Sequence, residues 1–302
     1  MNQSWTAIIL AGGDGTRLRE LTRRIAGDDR PKQFCRVLGA QTLLDQTRQR
    51  VAQVIAPART FFSVTRRHEV HYQPALSGVP HRNVVVQPDN RGTAPAILYA
   101  LMRLQAATTS TATVILPSDH YVSDDGAFMA RVASALDFVT QRPDLVVLLG
   151  IPPDRAETEY GWIEPGDAVP GSGAWPIYRV RRFWEKPTAD VARQLADGGC
   201  FWNIFVVVAH PARLRDLIER SVPALTRAFA PLDARLGTAR EITAARAAYA
   251  GIGSVDFSQH VLQPDPGGLA VLPVTGIAWS DLGSPLRVLS IRGGLERSVA
   301  TA

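Results

Sequence analysis

Short apolar runs recur along the 302-residue chain, separated by longer stretches in which apolar positions return every three to four residues. Runs rich in Val and Ile read as buried strands, and the longer period reads as helices that cover them. Strands are predicted at Trp5–Leu10, Thr60–Val64, Asn83–Gln87, Thr113–Leu116, Leu145–Gly150, Ile177–Trp184, Asn203–Ala209 and Leu269–Val274. Helices are predicted at Thr42–Ile55, Ala94–Ala107, Asp125–Thr140, Ala189–Ala196, Pro211–Ser221 and Thr238–Tyr249. Their alternation predicts an α/β fold: a Rossmann-like, doubly wound, mostly parallel mixed sheet flanked by helices, with an antiparallel extension from the C-terminal half over the sheet edge. The Gly- and Pro-rich stretches at Pro165–Gly173 and Pro264–Gly268 are of loop length, so residues 1–302 are expected to form a single domain.

Composition narrows the class. The chain is 46% hydrophobic and 20% charged, with a mean hydropathy of −0.01, which excludes a disordered chain. No run approaches the roughly 18 apolar residues that span a bilayer. The first apolar run, Thr6 to Ala11, follows no basic region and enters a glycine loop rather than a cleavage site, so it does not read as a signal peptide. A soluble, cytoplasmic protein is expected. Cys35 and Cys200 form no CxxC pair and predict neither a disulfide framework nor a zinc knuckle.

Charge adds a sharper signal. Of the 33 basic residues only Lys32 and Lys186 are lysine; the rest are arginine, against 28 acidic residues and a net charge of +5. In such a chain a surviving lysine marks a place where a planar guanidinium does not replace a compact ammonium. The arginine runs at Arg23-Arg24, Arg66-Arg67 and Arg179 to Arg182 are scattered and match no nucleic-acid-binding motif, so no specific nucleic-acid partner is expected. His68-Glu69-Val70-His71 lacks the spacing of a zinc helix and a third ligand.

The strongest local pattern is Ile8-Ile9-Leu10-Ala11-Gly12-Gly13-Asp14-Gly15-Thr16-Arg17-Leu18. A buried strand feeding a glycine-rich turn brings backbone N–H groups onto phosphates. It is neither common loop: Leu18 stands where GxGxxG needs glycine, and Arg17 where a P-loop needs lysine. Arg17 and then Pro31-Lys32-Gln33-Phe34 follow closely, as a triphosphate would require.

The segments GGDGTRL and PKQF together resemble the signature of sugar-1-phosphate nucleotidyltransferases, most similarly mannose-1-phosphate guanylyltransferases of the short, single-catalytic-domain type. Further segments match in order. Gln87 to Ala96 resembles the base-reading loop, Leu116-Pro117-Ser118-Asp119-His120 the metal-binding turn, and Glu157 to Glu164 the ETGYGYIE sugar loop. Phe183 to Pro187 resembles FxEKP, Trp202-Asn203 the WN motif, and Trp279 to Gly283 the WSDxG motif.

The resemblance implies attack by the phosphate oxygen of a hexose 1-phosphate, mannose 1-phosphate first, on the α-phosphorus of a nucleoside triphosphate, GTP first. A phosphate monoester has a second pKa of about 6, so this nucleophile needs no general base, only neutralising charge and orientation. It further implies that Asp119 and Asp281 hold Mg²⁺ and that Arg17 and Lys32 hold the triphosphate. Leu10, Gly12, Gly13, Gly15, Thr16, Gln87, Gly92 and Asp119 would contact the nucleotide; Gly161, Glu185, Lys186 and Asn203 would contact the sugar phosphate. Residues 1–150 would then be the nucleotide-binding half, 151–290 the sugar-phosphate-binding half and 291–302 a C-terminal tail, with a homodimer left open.

The chain departs from the family pattern at several places. The stretch between Arg17 and Lys32 is longer, with Gly27-Asp28-Asp29-Arg30 as the insert. Gly92 stands for Asn, Glu159 for Gly and Trp162 for Tyr, and Ile204-Phe205 replace a small residue and a glycine. These changes surround base and sugar rather than phosphate and metal. Another base or sugar, or a catalytically silent sugar-nucleotide-binding relative, is therefore an open alternative.

Overall fold

The structure is a computed structural model and describes residues 4–300. In chain order the first half runs β1 (Trp5–Leu10), α1 (Arg19–Ala26), α2 (Leu43–Ala52), β2 (Thr60–Thr65), α3 (Glu69–Ala75), β3 (Val84–Gln87), α4 (Thr93–Ala107), β4 (Ala112–Pro117), β5 (Tyr121–Val122), α5 (Asp125–Gln141) and β6 (Val146–Ile151). The second adds β7 (Gly161–Ala168), β8 (Tyr178–Glu185), α6 (Ala189–Asp197), β9 (Phe201–Ala209), α7 (Pro211–Ser221), α8 (Pro223–Asp233), α9 (Glu241–Ala250), β10 (Leu269–Pro273), β11 (Trp279–Ser280) and α10 (Pro285–Ala300). The stretch expected as a C-terminal tail continues α10 as far as Ala300, and residues 301–302 lie outside the described residues.

Nine strands form one mixed sheet in the order β3-β2-β1-β4-β9-β6-β10-β8-β7. β1, β2, β3 and β4 are mutually parallel, as are β6 and β10, while β7 and β8 make the antiparallel extension at the edge. β9 goes further than the expected edge position: it lies between β4 and β6, antiparallel to both. Its segment Val206–Ala209 is buried, the same apolar run that a parallel central strand would show.

Successive residues of the central strands serve opposite faces. Ala7, Ile9, Val114, Leu116, Val147 and Leu149 join the core beneath α2, α3, α5 and α6. Ile8, Ile115, Val146 and Leu148 join the core beneath α4, α7, α8 and α9. A third, smaller cluster links Leu18, Leu43, Leu282 and Val288 and ties the start of α10 to the glycine turn.

Candidate active site

The turn after β1 is held open by side chains that take its carbonyl groups. Gln33 Nε2 donates to the carbonyls of Ala11 (3.1 Å) and Gly13 (2.8 Å), and Thr65 Oγ1 donates to that of Gly12 (2.8 Å). A turn tethered in this way leaves N–H groups as the polar face for an anion. Gly12 has no room for a side chain, since a Cβ there would lie 2.6 Å from Gln87 Nε2. Gly15 takes the left-handed conformation (φ 59°) against Pro31 and Lys32, where a side chain would be strained.

Two cavities flank this turn. The first, about 270 Å³, is lined by Leu10, Gly12, Gly13, Gln87, Gly92 and Thr93, together with Ser254 and Asp256. Gln87 is only 3% exposed: its Nε2 donates to Ser63 Oγ (3.1 Å) and its Oε1 accepts from the Tyr249 hydroxyl (3.2 Å). The second, about 310 Å³, is lined by Gly15, Thr16, Arg17, Lys32, Asp119, His120, Asp281, Leu282 and Gly283.

The two aspartates, distant in sequence, meet there because β5 and β11 form a short antiparallel ribbon with Ser280 opposite Tyr121. Asp119 precedes one strand of the ribbon and Asp281 follows the other. Lys32 Nζ lies between them, 3.3 Å from Asp119 Oδ2 and donating to the Asp281 carbonyl. Asp281 Oδ1 accepts from the Tyr160 hydroxyl (2.9 Å), Gly283 N (3.0 Å) and Arg287 Nη1 (3.0 Å), whereas Oδ2 has Arg287 Nη1 at 3.2 Å. Burial alone would raise the Asp281 pKa, but the surrounding cations and the Tyr160 hydrogen bond hold it below the usual carboxylate value. His120, driven down to about 4 by burial, is neutral at pH 7, so Arg287 and Lys32 are the cations that act on Asp281 there.

The third group is held by the β7, β8 and β9 register, in which Gly161 faces both Glu185 and Asn203. A Cβ on Gly161 would meet Glu185 Oε2 at 2.9 Å and Asn203 Cβ at 3.3 Å, so these chains approach closely only around glycine. Lys186 follows with φ 48°, its Nζ 3.2 Å from Glu185 Oε1 and its side chain 61% exposed. Burial raises the Glu185 pKa, which the Lys186 charge and hydrogen bond partly offset. The Tyr160–Asp281 hydrogen bond connects this group to the second cavity.

The nucleotidyl transferase family matches residues 6–296. The chain belongs to that family. An alginate biosynthesis protein AlgA of Pseudomonas syringae pv. tomato is 30% identical over 282 residues, 91% of this chain and 56% of its own length. A mannose-1-phosphate guanylyltransferase of Escherichia coli is 28% identical over 285 residues, 92% of this chain and 57% of its own length. The chain thus spans a little over half the length of these curated relatives. A solved structure from Thermus thermophilus, described as a mannose-1-phosphate geranyltransferase, superposes with a TM-score of 0.80 at 33% identity, covering 95% of this chain and 79% of its own.

The residues that depart from the resembling motifs all find partners or room in the structure. In the insert Gly27 caps α1 with a left-handed backbone (φ 81°), Asp29 pairs with Arg23 of α1 (2.7 Å) and Asp28 with Arg30 (2.7 Å), and Arg17 and Lys32 still share one cavity. Glu159 bridges Arg17 and Arg287 at 3.3 Å each. Trp162 is buried and donates to the Glu157 carbonyl (2.8 Å). Phe205 has a left-handed backbone (φ 58°), with Asn203 Oδ1 accepting from its N–H (3.2 Å). Gly92 has φ 89° and ψ −178°, a conformation confined in practice to glycine, and a Cβ would lie 2.5 Å from the Val255 carbonyl. Gly92→Asn is therefore expected to lower stability by about 1–3 kcal/mol. An unchanged denaturant midpoint would show that residues 254–256 yield freely.

Residue pattern alone did not single out Tyr160, Arg287 or Asp256. Tyr160 lay within a matched motif. Arg287 is one arginine among many on an ordinary helix, yet it is largely buried over the Tyr160 ring (4.7 Å) and pairs with Glu157 Oε2 at 2.6 Å. His68 and His71 pack around Phe34, with ring centroids 6.3 and 5.9 Å away.

Proposed function

We propose that the chain transfers a nucleotidyl group from a nucleoside triphosphate, GTP first, to a hexose 1-phosphate, mannose 1-phosphate first, giving GDP-mannose and pyrophosphate. The observation that carries this reading is the convergence of Arg17, Lys32, Asp119 and Asp281 on one cavity beside a second that holds Gln87 and Gly92. The name of the mannose-1-phosphate guanylyltransferase relative supports the same choice of sugar and base.

A phosphate oxygen of the sugar attacks the α-phosphorus while the bond to the β-phosphate oxygen breaks and pyrophosphate leaves. Arg17 neutralises the departing pyrophosphate, and Lys32 holds the triphosphate against the two aspartates. The N–H groups of the turn, with Gly15 and Thr16, bind phosphate oxygens. Leu10, Gly12, Gly13, Gln87 and Gly92 receive the nucleoside. Lys186 binds the sugar phosphate, and Glu185, Asn203 and the Gly161 backbone bind sugar hydroxyls.

The donor set fits Mg²⁺. Two carboxylates share a polar cavity, and among the described residues they belong to no group of three or more His, Cys, Asp or Glu that could hold a metal. Mg²⁺ takes one or two carboxylates and completes its shell with phosphate oxygens and water. Asp119 and Asp281 would hold it, and when bound it offsets charge on the triphosphate and the leaving pyrophosphate.

No described helix is long and apolar enough to cross a membrane. Both substrates are polyanions that do not cross a bilayer unaided, and the proposed reaction is a cytoplasmic one. The proposed chemistry needs one chain.

The test is pyrophosphate release from four nucleoside triphosphates against several hexose 1-phosphates, with and without a chelator. GTP with mannose 1-phosphate is expected to be fastest, and EDTA to stop it. Turnover indifferent to EDTA would remove the metal assignment; none with any pair would favour the silent relative.

A further inference from the structure

The cavity beside Gln87 contains a charged side chain that neither the matched motifs nor the proposed chemistry uses. Asp256 comes from the segment after α9, far along the chain from the glycine turn, yet it lines the cavity with Leu10, Gly12, Gln87 and Gly92. Its position is fixed by backbone pairing. Val255 N donates to the Arg91 carbonyl (2.9 Å) and Ala94 N to the Val255 carbonyl (3.0 Å), clipping the segment onto the loop before α4. Gly92 makes the clip possible, since any Cβ there would strike the Val255 carbonyl.

The carboxylate is also held. Asp256 Oδ1 accepts from Gln259 N (2.9 Å) and Oδ2 from Thr93 Oγ1 (3.4 Å), while Thr93 Oγ1 itself accepts from Phe257 N (2.7 Å). An ionised carboxylate accepts about four hydrogen bonds, so each oxygen keeps capacity for a further donor. The Gln87 amide offers the opposite polarity: Tyr249 occupies its oxygen and Ser63 one hydrogen of its Nε2.

The bases differ in what they offer such a pair. The hydrogen-bonding edge of guanine carries two adjacent donors, the ring N1–H and the exocyclic N2 amino group, next to the O6 acceptor. Uracil and thymine offer a single N–H between two carbonyls, which a carboxylate repels. Adenine and cytosine place a ring acceptor beside their amino group. We propose that Asp256 is a specificity-determining residue that selects guanine by accepting from N1–H and the N2 amino group. The inference rests on the nucleotide reading given above and assigns the choice of base within it. By this account, the glycine at position 92 serves selection indirectly by letting the Asp256 segment approach.

The test uses inosine triphosphate, which keeps N1–H and O6 but lacks the N2 amino group. Affinities of GTP, ITP and ATP are measured by calorimetry with Mg²⁺ present, and kcat/KM by pyrophosphate release. The unaltered protein is expected to prefer GTP to ITP by about ten- to a hundredfold, the range of hydrogen bonds to a charged group. In Asp256→Asn the GTP to ITP ratio should fall close to one, with GTP losing most of the affinity. Equal binding of GTP and ITP by the unaltered protein overturns the proposal, whether or not the variant folds. So does an equal loss for both nucleotides in the variant, which would mark a ribose contact or a structural role. Nucleotide binding with the expected ratio but without turnover would leave this inference standing and defeat the reaction instead.

Discussion

Asp119→Asn is expected to lower turnover by about 10²–10³-fold while the melting temperature stays within about 2 °C. The side chain keeps its shape, loses its charge and exchanges one acceptor oxygen for an NH2 donor. In the free protein that charge faces one cation, Lys32 Nζ at 3.3 Å, and the ammonium retains the Asp281 and Leu282 carbonyls as acceptors. The fold therefore gives up little, while the proposed chemistry loses one of two carboxylates. Asp281→Asn should separate from it on the second readout. Asp281 accepts from Tyr160, Gly283 and Arg287, and the Arg287 side chain is only 15% exposed. Neutralising Asp281 leaves that guanidinium chiefly to Glu157, so a stability loss of about 1–3 kcal/mol should accompany the loss of turnover, less than for a fully buried pair. Steady-state pyrophosphate release and denaturant melts on both variants check this. Full turnover in Asp119→Asn would detach this cavity from the reaction.

The contrast between the two aspartates also shows what a sequence can carry. Each sits in a short motif of recognisable residues, so both were legible as candidates. The ribbon that unites them was not: β5 and β11 are two residues each, too short for any apolar period. Fully buried strands such as β6 stand out as apolar runs, but burial on both faces erases direction, so the insertion of β9 between β4 and β6 left no trace. β7 begins within the sugar-loop motif and carries Pro165 and Gly166, turn residues that argued against a strand. α1 is short and rich in arginine, so its narrow apolar face of Leu21 and Ile25 was passed over; α3 contains Pro74, and α8 and α10 were missed as well; α9 begins at Glu241 rather than Thr238. Arg287 and Asp256 depend on which side of a helix or loop faces a cavity, a tertiary property that local pattern does not encode.

Those long-range contacts give the lysine argument its second test. Lys32→Arg is expected to cut kcat/KM by about a hundredfold although the charge is kept. Lys32 is 8% exposed, with Nζ donating to two consecutive carbonyls, Asp281 and Leu282, and pairing with Asp119. Leu282 adopts φ 49° with its side chain fully buried, so this acceptor pair sits on a strained, packed turn with little freedom to retreat. An ammonium spreads its three N–H groups around one atom and fits such a nest; a guanidinium is longer and planar and must push the turn or leave the cavity. Displacing the turn moves Asp281 with it, so affinity for nucleotide and turnover should fall together. Lys186→Arg supplies the control. That side chain is 61% exposed and pairs with Glu185 at 3.2 Å, so an arginine has room to reach the same anion, and a loss below about tenfold is expected. Near-normal kinetics in both variants would show that the two lysines survive among so many arginines for reasons unrelated to phosphate; equal severe losses would mean that Lys186, too, is confined once substrate is bound.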